Sequence, residues 1–222
     1  MKFKRCILKL TGEAFSDPSA LDKIANEIKQ SYHPKLELAI VLGGGNFFRG
    51  RNAALRDKLV TDRAGMLGTV INGILLENIL KPFAAHLSAL DIKGFVTYYQ
   101  IEKALEYLQL KKILILSGGT GLPHFTTDTA TALRACELNA DLILKATNVD
   151  GVYSTDPNRD PAAKLIKKIS YKETINKNLK IMDQQAFALL QDRKIPLLVF
   201  NIFKHGNLKK ALAGRQIGSM VC

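Results

Sequence analysis

The chain has 222 residues, 47% of them hydrophobic, and a formal net charge of +12. This length allows one domain with a substantial core, and no apolar run reaches the roughly 18 residues of a membrane span. Three widely spaced cysteines without a CxxC pair argue against a disulfide framework or a zinc site. Lys9 and Glu13 interrupt the apolar stretch behind the basic N-terminus, which argues against a signal peptide. We therefore expect a cytoplasmic protein with no membrane partner.

Apolar, β-branched runs alternate with segments of helical periodicity, which is typical of a mainly parallel sheet covered by helices. Two Asp-Pro steps make residues 147–168 the least regular stretch. We place a boundary just before it, between lobes 1–146 and 147–222 of one domain. In chain order the sequence predicts strands at 5–10, 36–42, 84–90, 112–117, 140–146 and 196–202, and helices at 20–31, 62–80, 101–108, 127–138, 182–192 and 207–213.

Two glycine clusters, at 43–45 and 118–121, each follow a strongly apolar strand. Ligands of open α/β sheets bind at the carboxyl ends of strands, and glycine there lets backbone N–H groups approach a phosphate. Neither cluster fits GxxxxGK[ST] or GxGxxG, so the P-loop and dinucleotide-binding interpretations are poor. One such turn is as often a simple tight turn, but two at equivalent strand ends indicate two phosphate-bearing ligands.

The second glycine cluster leads into a polar run and a predicted helix start. Thr126 or Thr127 is suited to cap this helix, and Asp128 then lies in its first turn, where the helix dipole favours a negative group. The pattern fits a plain N-cap, but the long polar run ahead of it favours an anion site at the helix start.

Lys9 interrupts an apolar strand near its carboxyl end, just before Gly12. A surface lysine is the common explanation, but beside two phosphate cradles Lys9 is a candidate for neutralising a transferring phosphoryl group. Arg49 follows the first glycine turn and is a second cationic candidate, able to grip a phosphate bidentately. The histidines show no metal-ligand spacing, and no Gly-x-Ser-x-Gly elbow supports nucleophilic hydrolysis.

With these residues assembled, the chain resembles the amino acid kinase superfamily and, within it, the bacterial UMP kinases. The resemblance implies a three-layer αβα sandwich with a mainly parallel central sheet, usually a homohexamer, that moves the ATP γ-phosphate onto UMP with Mg²⁺ bridging the ATP phosphates. It also implies that residues 1–146 bind the acceptor and residues 147–222 bind ATP. The segments that carry it are KLTGEA (9–14), GGGNFFRG (43–50), DRAGMLGTVIN (62–72), GGTGLPHFTTD (118–128) and KATNVDGVYSTDP (145–157).

Roles follow from the resemblance position by position. Asp62 would contact the acceptor ribose, and Asp128 and Asp183 would orient Lys9 and the magnesium-bound phosphates, with no dedicated protein metal ligands. The catalytic residues implied are Lys9, Arg49, Asp128 and Asp183; the ATP-binding residues are Lys9, Leu10, Thr11, Gly12, Gly45, Arg49, Thr147, Tyr153 and Asp156; the UMP-binding residues are Gly44, Asp62, Thr120, Gly121, Leu122, Pro123, His124, Phe125, Thr126 and Thr127.

The sequence also departs from the family pattern. Thr11 replaces the usual serine, Leu122 stands where asparagine is common, and His124 stands where an aromatic residue is common. The stretch 15–19 is shorter than the glycine-containing insertion that the family associates with GTP activation, so the sequence gives no ground for expecting that regulation.

Two other functions remain open at this point. Another member of the superfamily would phosphorylate a small carboxylate or carbamate and would not need Asp62 or the segment 125–128. A non-catalytic nucleotide-sensing or nucleic-acid-binding module would use the +12 charge. The basic residues are scattered rather than clustered, so we expect ATP and UMP as partners and no nucleic acid.

Overall fold

The computed structural model describes residues 3–47, 57–157, 159–215 and 217–222. Its strands are β1 (Arg5–Leu10), β2 (Glu37–Leu42), β3 (Ala84–Ser88), β4 (Thr97–Tyr98), β5 (Ile113–Ser117), β6 (Leu142–Thr147), β7 (Val152–Tyr153), β8 (Leu165–Ile166), β9 (Lys168–Ile169), β10 (Leu197–Asn201) and β11 (Ser219–Val221). Its helices are α1 (Pro18–Ser31), α2 (Lys58–Leu80), α3 (Ile101–Gln109), α4 (Thr127–Glu137), α5 (Tyr171–Asn176), α6 (Gln184–Arg193) and α7 (Asn207–Leu212), with a 3-10 helix at Gly12–Phe15.

Nine of these strands form one sheet in the order β4-β3-β5-β2-β1-β6-β10-β11-β9. Among the described strands of this sheet, only the β10–β11 pairing is antiparallel. Strand β1 lies between β2 and β6, so the carboxyl ends of these three neighbours meet at one edge. The short strands β7 and β8 form a separate antiparallel hairpin.

Alternate residues of the central strands face opposite helical layers, as the period of two requires. Ile7 and Ile143 pack in a cluster that includes buried residues of α3, α4 and α6. Leu8 and Leu144 pack in the other cluster, with buried residues of α1, α2 and α7. The predicted three-layer αβα sandwich with a mainly parallel sheet is therefore confirmed.

All six predicted strands and six predicted helices exist, with ends displaced by a few residues. Helix α2 begins at Lys58 rather than at residue 62, because the Asp57 side chain caps it by accepting the N–H of Leu59. The sequence prediction missed α5, although Ser170 and Glu173 form a capping box at its start. The lobe boundary predicted between residues 146 and 147 falls at the end of β6 and stays a prediction.

Helix α2 is unusual for its apolar exposed face. Among the described residues it is the one helix that is long and apolar enough to cross a membrane, with 33% of its most apolar window buried. A single helix of this kind is weak evidence for a span, since core helices pass the same test. Its role in the fold is to pack along β2, β3 and β5, which places its residues beside both glycine turns.

Candidate active site

Two buried lysines stand side by side in the centre of the sheet. Lys9 on β1 and Lys145 on β6 are register partners, so their side chains leave the same face, the one covered by α4. Both ammonium groups reach Asp128: Lys9 Nζ lies 3.0 Å from Oδ1 and Lys145 Nζ lies 2.9 Å from Oδ2. Lys145 also donates a hydrogen bond to the carbonyl of Ile181. One carboxylate thus bridges two cations.

Helix α4 brings Asp128 to this point. Thr126 caps the helix, because its hydroxyl oxygen accepts the N–H groups of Asp128 and Thr129. Asp128 then lies in the first turn and faces the lysines. Burial raises the pKa of the Asp128 carboxyl, but the charges of Lys9 and Lys145 outweigh burial, so the pKa lies below its usual value. Asp128 is therefore ionised throughout the physiological range.

Lys9 perturbs the pKa of Lys145. Burial, and then the charge of Lys9, lower the pKa of Lys145 from 10.5 to about 8, although Asp128 opposes both effects. Lys145 therefore holds its proton at neutral pH but loses it within the range that many enzyme assays cover. This residue was missed in the sequence reasoning, although the signal was present: the letters Ile-Leu-Lys occur at 7–9 and again at 143–145.

Asp183 lies close by but has different partners. It caps α6 by accepting the N–H of Ala186 at 2.8 Å, and its second oxygen accepts the hydroxyl groups of Thr126 and Thr129. The described contacts of Asp183 do not include Lys9. Asp183 thus anchors the start of α4, and its charge reaches Lys145 only through space.

The first glycine turn is closely packed at Gly44 and against Gly12, whereas the α-carbon of Gly45 faces open space. A Cβ on Gly12 would lie 2.4 Å from the N atom of Gly45, and a Cβ on Gly44 would lie 2.2 Å from the carbonyl oxygen of Gly65 on α2. Asn72, fully buried on α2, donates to the carbonyl of Gly43 at 2.8 Å. The 3-10 helix and α2 therefore both fix this turn.

The second glycine turn is fixed by the same helix. The N–H of Gly118 donates to the Thr69 hydroxyl at 2.7 Å, one turn of α2 away from Asn72. Gly118, Gly119 and Gly121 have positive φ angles, which glycine adopts without strain. Strands β2 and β5 are neighbours, so the two glycine turns lie side by side on the same edge, as the sequence predicted.

Asp62 connects the segment 120–127 to α2. Its Oδ2 accepts the N–H of His124 at 2.8 Å and the Lys58 ammonium at 2.7 Å. Partial burial raises the pKa of the Asp62 carboxyl, but Lys58 and His124 lower it more, so it is ionised at neutral pH. Leu122 and Phe125 are 61% and 43% exposed. The segment therefore presents apolar surface beside a carboxylate. One continuous loop and helix start contains all the predicted residues of this segment, which are Thr120, Gly121, Leu122, Pro123, His124, Phe125, Thr126 and Thr127.

A cavity of about 540 Å³ adjoins Lys145. Thr147, Tyr153 and Asp156 line it, as the sequence reasoning expected of nucleoside-binding residues, and Lys145 lines it too. The segment 177–181 also borders the cavity and had not been predicted. The side chains of residues 177–181 follow no recognisable motif, so only the tertiary structure shows that they line the cavity.

Three predicted site residues need separate comment. Leu10 is fully buried in the core, and its carbonyl accepts the N–H of Gly43, so its side chain is not available to a ligand. Thr11 precedes the 3-10 helix, and its carbonyl accepts the N–H of Ala14. Arg49 lies outside the described residues.

Comparison with known proteins agrees with this geometry. Residues 4–201 match the amino acid kinase family. Uridylate kinase of Haemophilus influenzae is 43% identical over 99% of this chain and 98% of its own length, and the Mannheimia succiniciproducens uridylate kinase is 42% identical over the same shares. The UMP kinase structure from Bacillus anthracis has a TM-score of 0.93 at 34% identity, covering 99% of this chain and 96% of that one. The UMP kinase structure from Ureaplasma parvum has a TM-score of 0.91 at 33% identity, covering 100% and 99%. The chain belongs to the amino acid kinase family and, within it, to the uridylate kinases.

Proposed function

We propose that this protein transfers the γ-phosphoryl group of ATP to the phosphate of UMP, giving ADP and UDP in pyrimidine nucleotide synthesis. One observation carries the proposal: α2 holds two glycine turns side by side at the strand edge where Lys9 and Lys145 converge on Asp128. A site of this shape suits two phosphorylated ligands placed end to end, and the chain's family is that of the uridylate kinases.

We assign the ATP site to the cavity beside Lys145. Its volume of about 540 Å³ lies within the range of small-ligand pockets, and Thr147, Tyr153 and Asp156 would hold the nucleoside. The phosphates would then extend past Lys145 to Lys9 and the backbone of residues 10–12 and Gly45. No atom lies within 4 Å of a Cβ built on Gly45, so the space beside its α-carbon is open to a ligand.

We assign the UMP site to Gly44, Asp62 and the segment 120–127. The exposed side chains of Leu122 and Phe125 would contact the base, and Asp62 would accept from the ribose hydroxyls. The helix start at Thr126 and Thr127 supplies N–H groups and hydroxyls for the acceptor phosphate. Leu122 and His124 stand where other residues are common in the family, so the preference for uracil over cytosine needs its own measurement.

The chemistry needs positioning and charge neutralisation rather than a strong base. The acceptor phosphate oxygen is already anionic; it forms the new P–O bond while the bond from the γ-phosphorus to the β-γ bridging oxygen breaks, and ADP leaves. Lys9 and Lys145 would stabilise the negative charge on the transferring group and the leaving oxygen. Arg49 would add a third cation from outside the described residues, and Asp183 would keep the start of α4 in place.

The site suits a Mg²⁺ ion that is bound to the ATP phosphates. Among the described residues, no three His, Cys, Asp or Glu side chains gather into a metal site. The nearby carboxylates are already committed, Asp128 to two lysines and Asp183 to two threonines and a helix start. Mg²⁺ would therefore be held mainly by phosphate oxygens and water, and it would supply further neutralisation of the β- and γ-phosphates.

Self-association, with a homohexamer as the expected form, is part of the proposal. Val60, Leu67, Ile71, Ile74 and Leu75 are each 39–50% exposed, and the spacing 67, 71, 74 forms one stripe on α2. A second copy is the occupant that such a stripe favours in a cytoplasmic enzyme. Light scattering should give a multiple of 24.5 kDa, six for the hexamer, and Ile71→Lys should lower it. A monomeric wild type would contradict this part.

An acceptor screen tests the function. Purified protein with ATP and Mg²⁺ is supplied in turn with UMP, CMP, acetylglutamate, aspartate and carbamate, and ADP release is measured. We expect UMP to give the highest kcat/KM. Turnover with a carboxylate or carbamate alone would establish the other kinase function, and salt-sensitive DNA binding without any turnover would establish a non-catalytic module.

A further inference from the structure

A partly buried aromatic and ionic cluster lies directly behind the second glycine turn. The guanidinium carbon of Arg134, a residue only 5% exposed on α4, stacks 3.9 Å from the ring centre of Tyr99. Glu137 completes the cluster, because its Oε2 accepts both Arg134 Nη1 at 2.6 Å and the Tyr99 hydroxyl at 2.7 Å. The stacking on Tyr99 and the hydrogen bond to Glu137 hold the guanidinium in one plane, and the Tyr99 hydroxyl holds Glu137.

The cluster contacts the second glycine turn through one hydrogen bond. Arg134 Nη2 donates to the carbonyl oxygen of Gly119 at 3.3 Å. Gly119 also faces α2 on its other side, because the nearest atom to a side chain built there would be Cγ of Met66 at 3.9 Å. The Gly119 peptide therefore lies between the α4 layer and α2, with its carbonyl directed to α4.

The orientation of that peptide fixes a second group. In a trans peptide the C=O and the following N–H point in opposite directions. Holding the Gly119 carbonyl on Arg134 therefore directs the Thr120 N–H away from the Arg134 guanidinium. Within the described part of the chain, no residue accepts a hydrogen bond from this N–H.

We infer that Arg134, held by Tyr99 and Glu137, is a positioning residue that aims the Thr120 N–H at an oxygen atom of bound UMP. The inference rests on the proposed function, since it takes the segment 120–127 as the acceptor site. It adds three residues that lie outside the five motif segments and that line, with Thr120, Gly121 and Leu122, a cavity of about 460 Å³. Their effect reaches the acceptor alone, because the cluster has no described contact with the cavity assigned to ATP.

Steady-state kinetics of Arg134→Lys test this inference. Lysine keeps the charge but lacks the planar fork and cannot hold Tyr99, Glu137 and the Gly119 carbonyl together. The KM for UMP should rise roughly tenfold, the scale of one charge-assisted hydrogen bond, while the KM for ATP changes by less than about twofold. Tyr99→Phe keeps the stacking ring but removes the hydroxyl, so the KM for UMP should rise by a smaller factor, roughly threefold.

Matched controls separate positioning from general damage. Arg193→Lys alters an exposed arginine on α6, and Tyr107→Phe alters a half-buried tyrosine on α3 that packs on the same core; both should leave the two KM values unchanged. If Arg134→Lys is too unstable to assay, Tyr99→Phe decides alone. Equal changes in the KM for UMP and the KM for ATP, or no change in either, would overturn the inference while leaving the proposed function intact. A wild-type enzyme without UMP turnover would instead refute the proposed function, and the inference with it.

Discussion

Asp128→Asn is the most informative single change, because one carboxylate stands between two buried ammonium groups. Two unit charges about 4 Å apart interact by about 4 kcal/mol at an effective dielectric constant of about 20. Asp128 contacts Lys9 at 3.0 Å and Lys145 at 2.9 Å, so asparagine removes two attractions of this order and leaves the lysines to repel each other. We expect kcat to fall on the order of a hundredfold, the scale of losing one preorganised electrostatic group.

The pH dependence gives a second and more specific readout. The pKa of Lys145 is about 8 with Asp128 in place, and Asp128 is one of the groups that raise it. In the wild type, kcat/KM for ATP should therefore decline above about pH 8, as Lys145 loses its proton in the free enzyme. In Asp128→Asn the decline should begin at lower pH, and part of the lost activity should return at pH 6.

The assay is kcat/KM for ATP at saturating UMP from pH 6 to pH 9.5. Asp192→Asn serves as the control, since the Asp192 side chain is 82% exposed and contacts only Arg193 at 3.8 Å among the described ion pairs. An Asp128→Asn enzyme with the same alkaline decline as the wild type would refute the coupling between Asp128 and Lys145. A loss of less than about threefold in kcat would refute the catalytic assignment of the carboxylate.

Three further predictions concern the same site. Lys9→Met should lower kcat about a hundredfold, with little change in the ATP affinity measured by calorimetry. It should also move the alkaline decline of kcat/KM to higher pH, because Lys9 lowers the pKa of Lys145. An unchanged kcat would make Lys9 a structural residue. Gly44→Ala should cost about 1–3 kcal/mol in urea denaturation, since its Cβ meets the Gly65 carbonyl at 2.2 Å, whereas Gly65→Ala has open space and should cost nothing. Between about pH 8 and 10.5, Lys145 keeps its proton in the unfolded chain but has released it in the folded protein, so its contribution to the free energy of unfolding should rise with pH. The free energy of unfolding of the wild type should therefore increase relative to that of Lys145→Met from about pH 7.5 to 9.5. Parallel pH curves for the two proteins would contradict a buried, partly neutral Lys145.

The sequence predicted the sheet and the two glycine turns because both depend on local patterns. Strand β1 was predicted with the observed bounds, since its run of buried residues has no competing helical period. The strands of two residues, such as β4 and β7, are too short for any period to register. Strand β11 pairs antiparallel with β10 only through tertiary packing, and three residues at the end of the chain carry no such signal.

The candidate site was predictable only in part, for a related reason. Lys9 was found because it breaks an apolar strand beside a glycine turn, and the same reasoning applied to Lys145 would have found the second cation. What the sequence could not supply is the strand order. Lys9 and Lys145 are 136 positions apart in the chain, and only the pairing of β1 with β6 makes them neighbours that share one carboxylate.

This arrangement explains why a carboxylate belongs in a site that must bind polyanions. Burial and the charge of Lys9 both lower the pKa of Lys145. Asp128 opposes this shift, and with the carboxylate in place the pKa of Lys145 is about 8, so Lys145 keeps its proton at neutral pH. In the proposed mechanism, the nucleotide phosphates would take over the same task, and each lysine would exchange its carboxylate contact for a phosphate contact. We therefore expect the removal of Asp128 to displace the alkaline decline of kcat/KM, which is a property of the free enzyme, as well as to lower kcat.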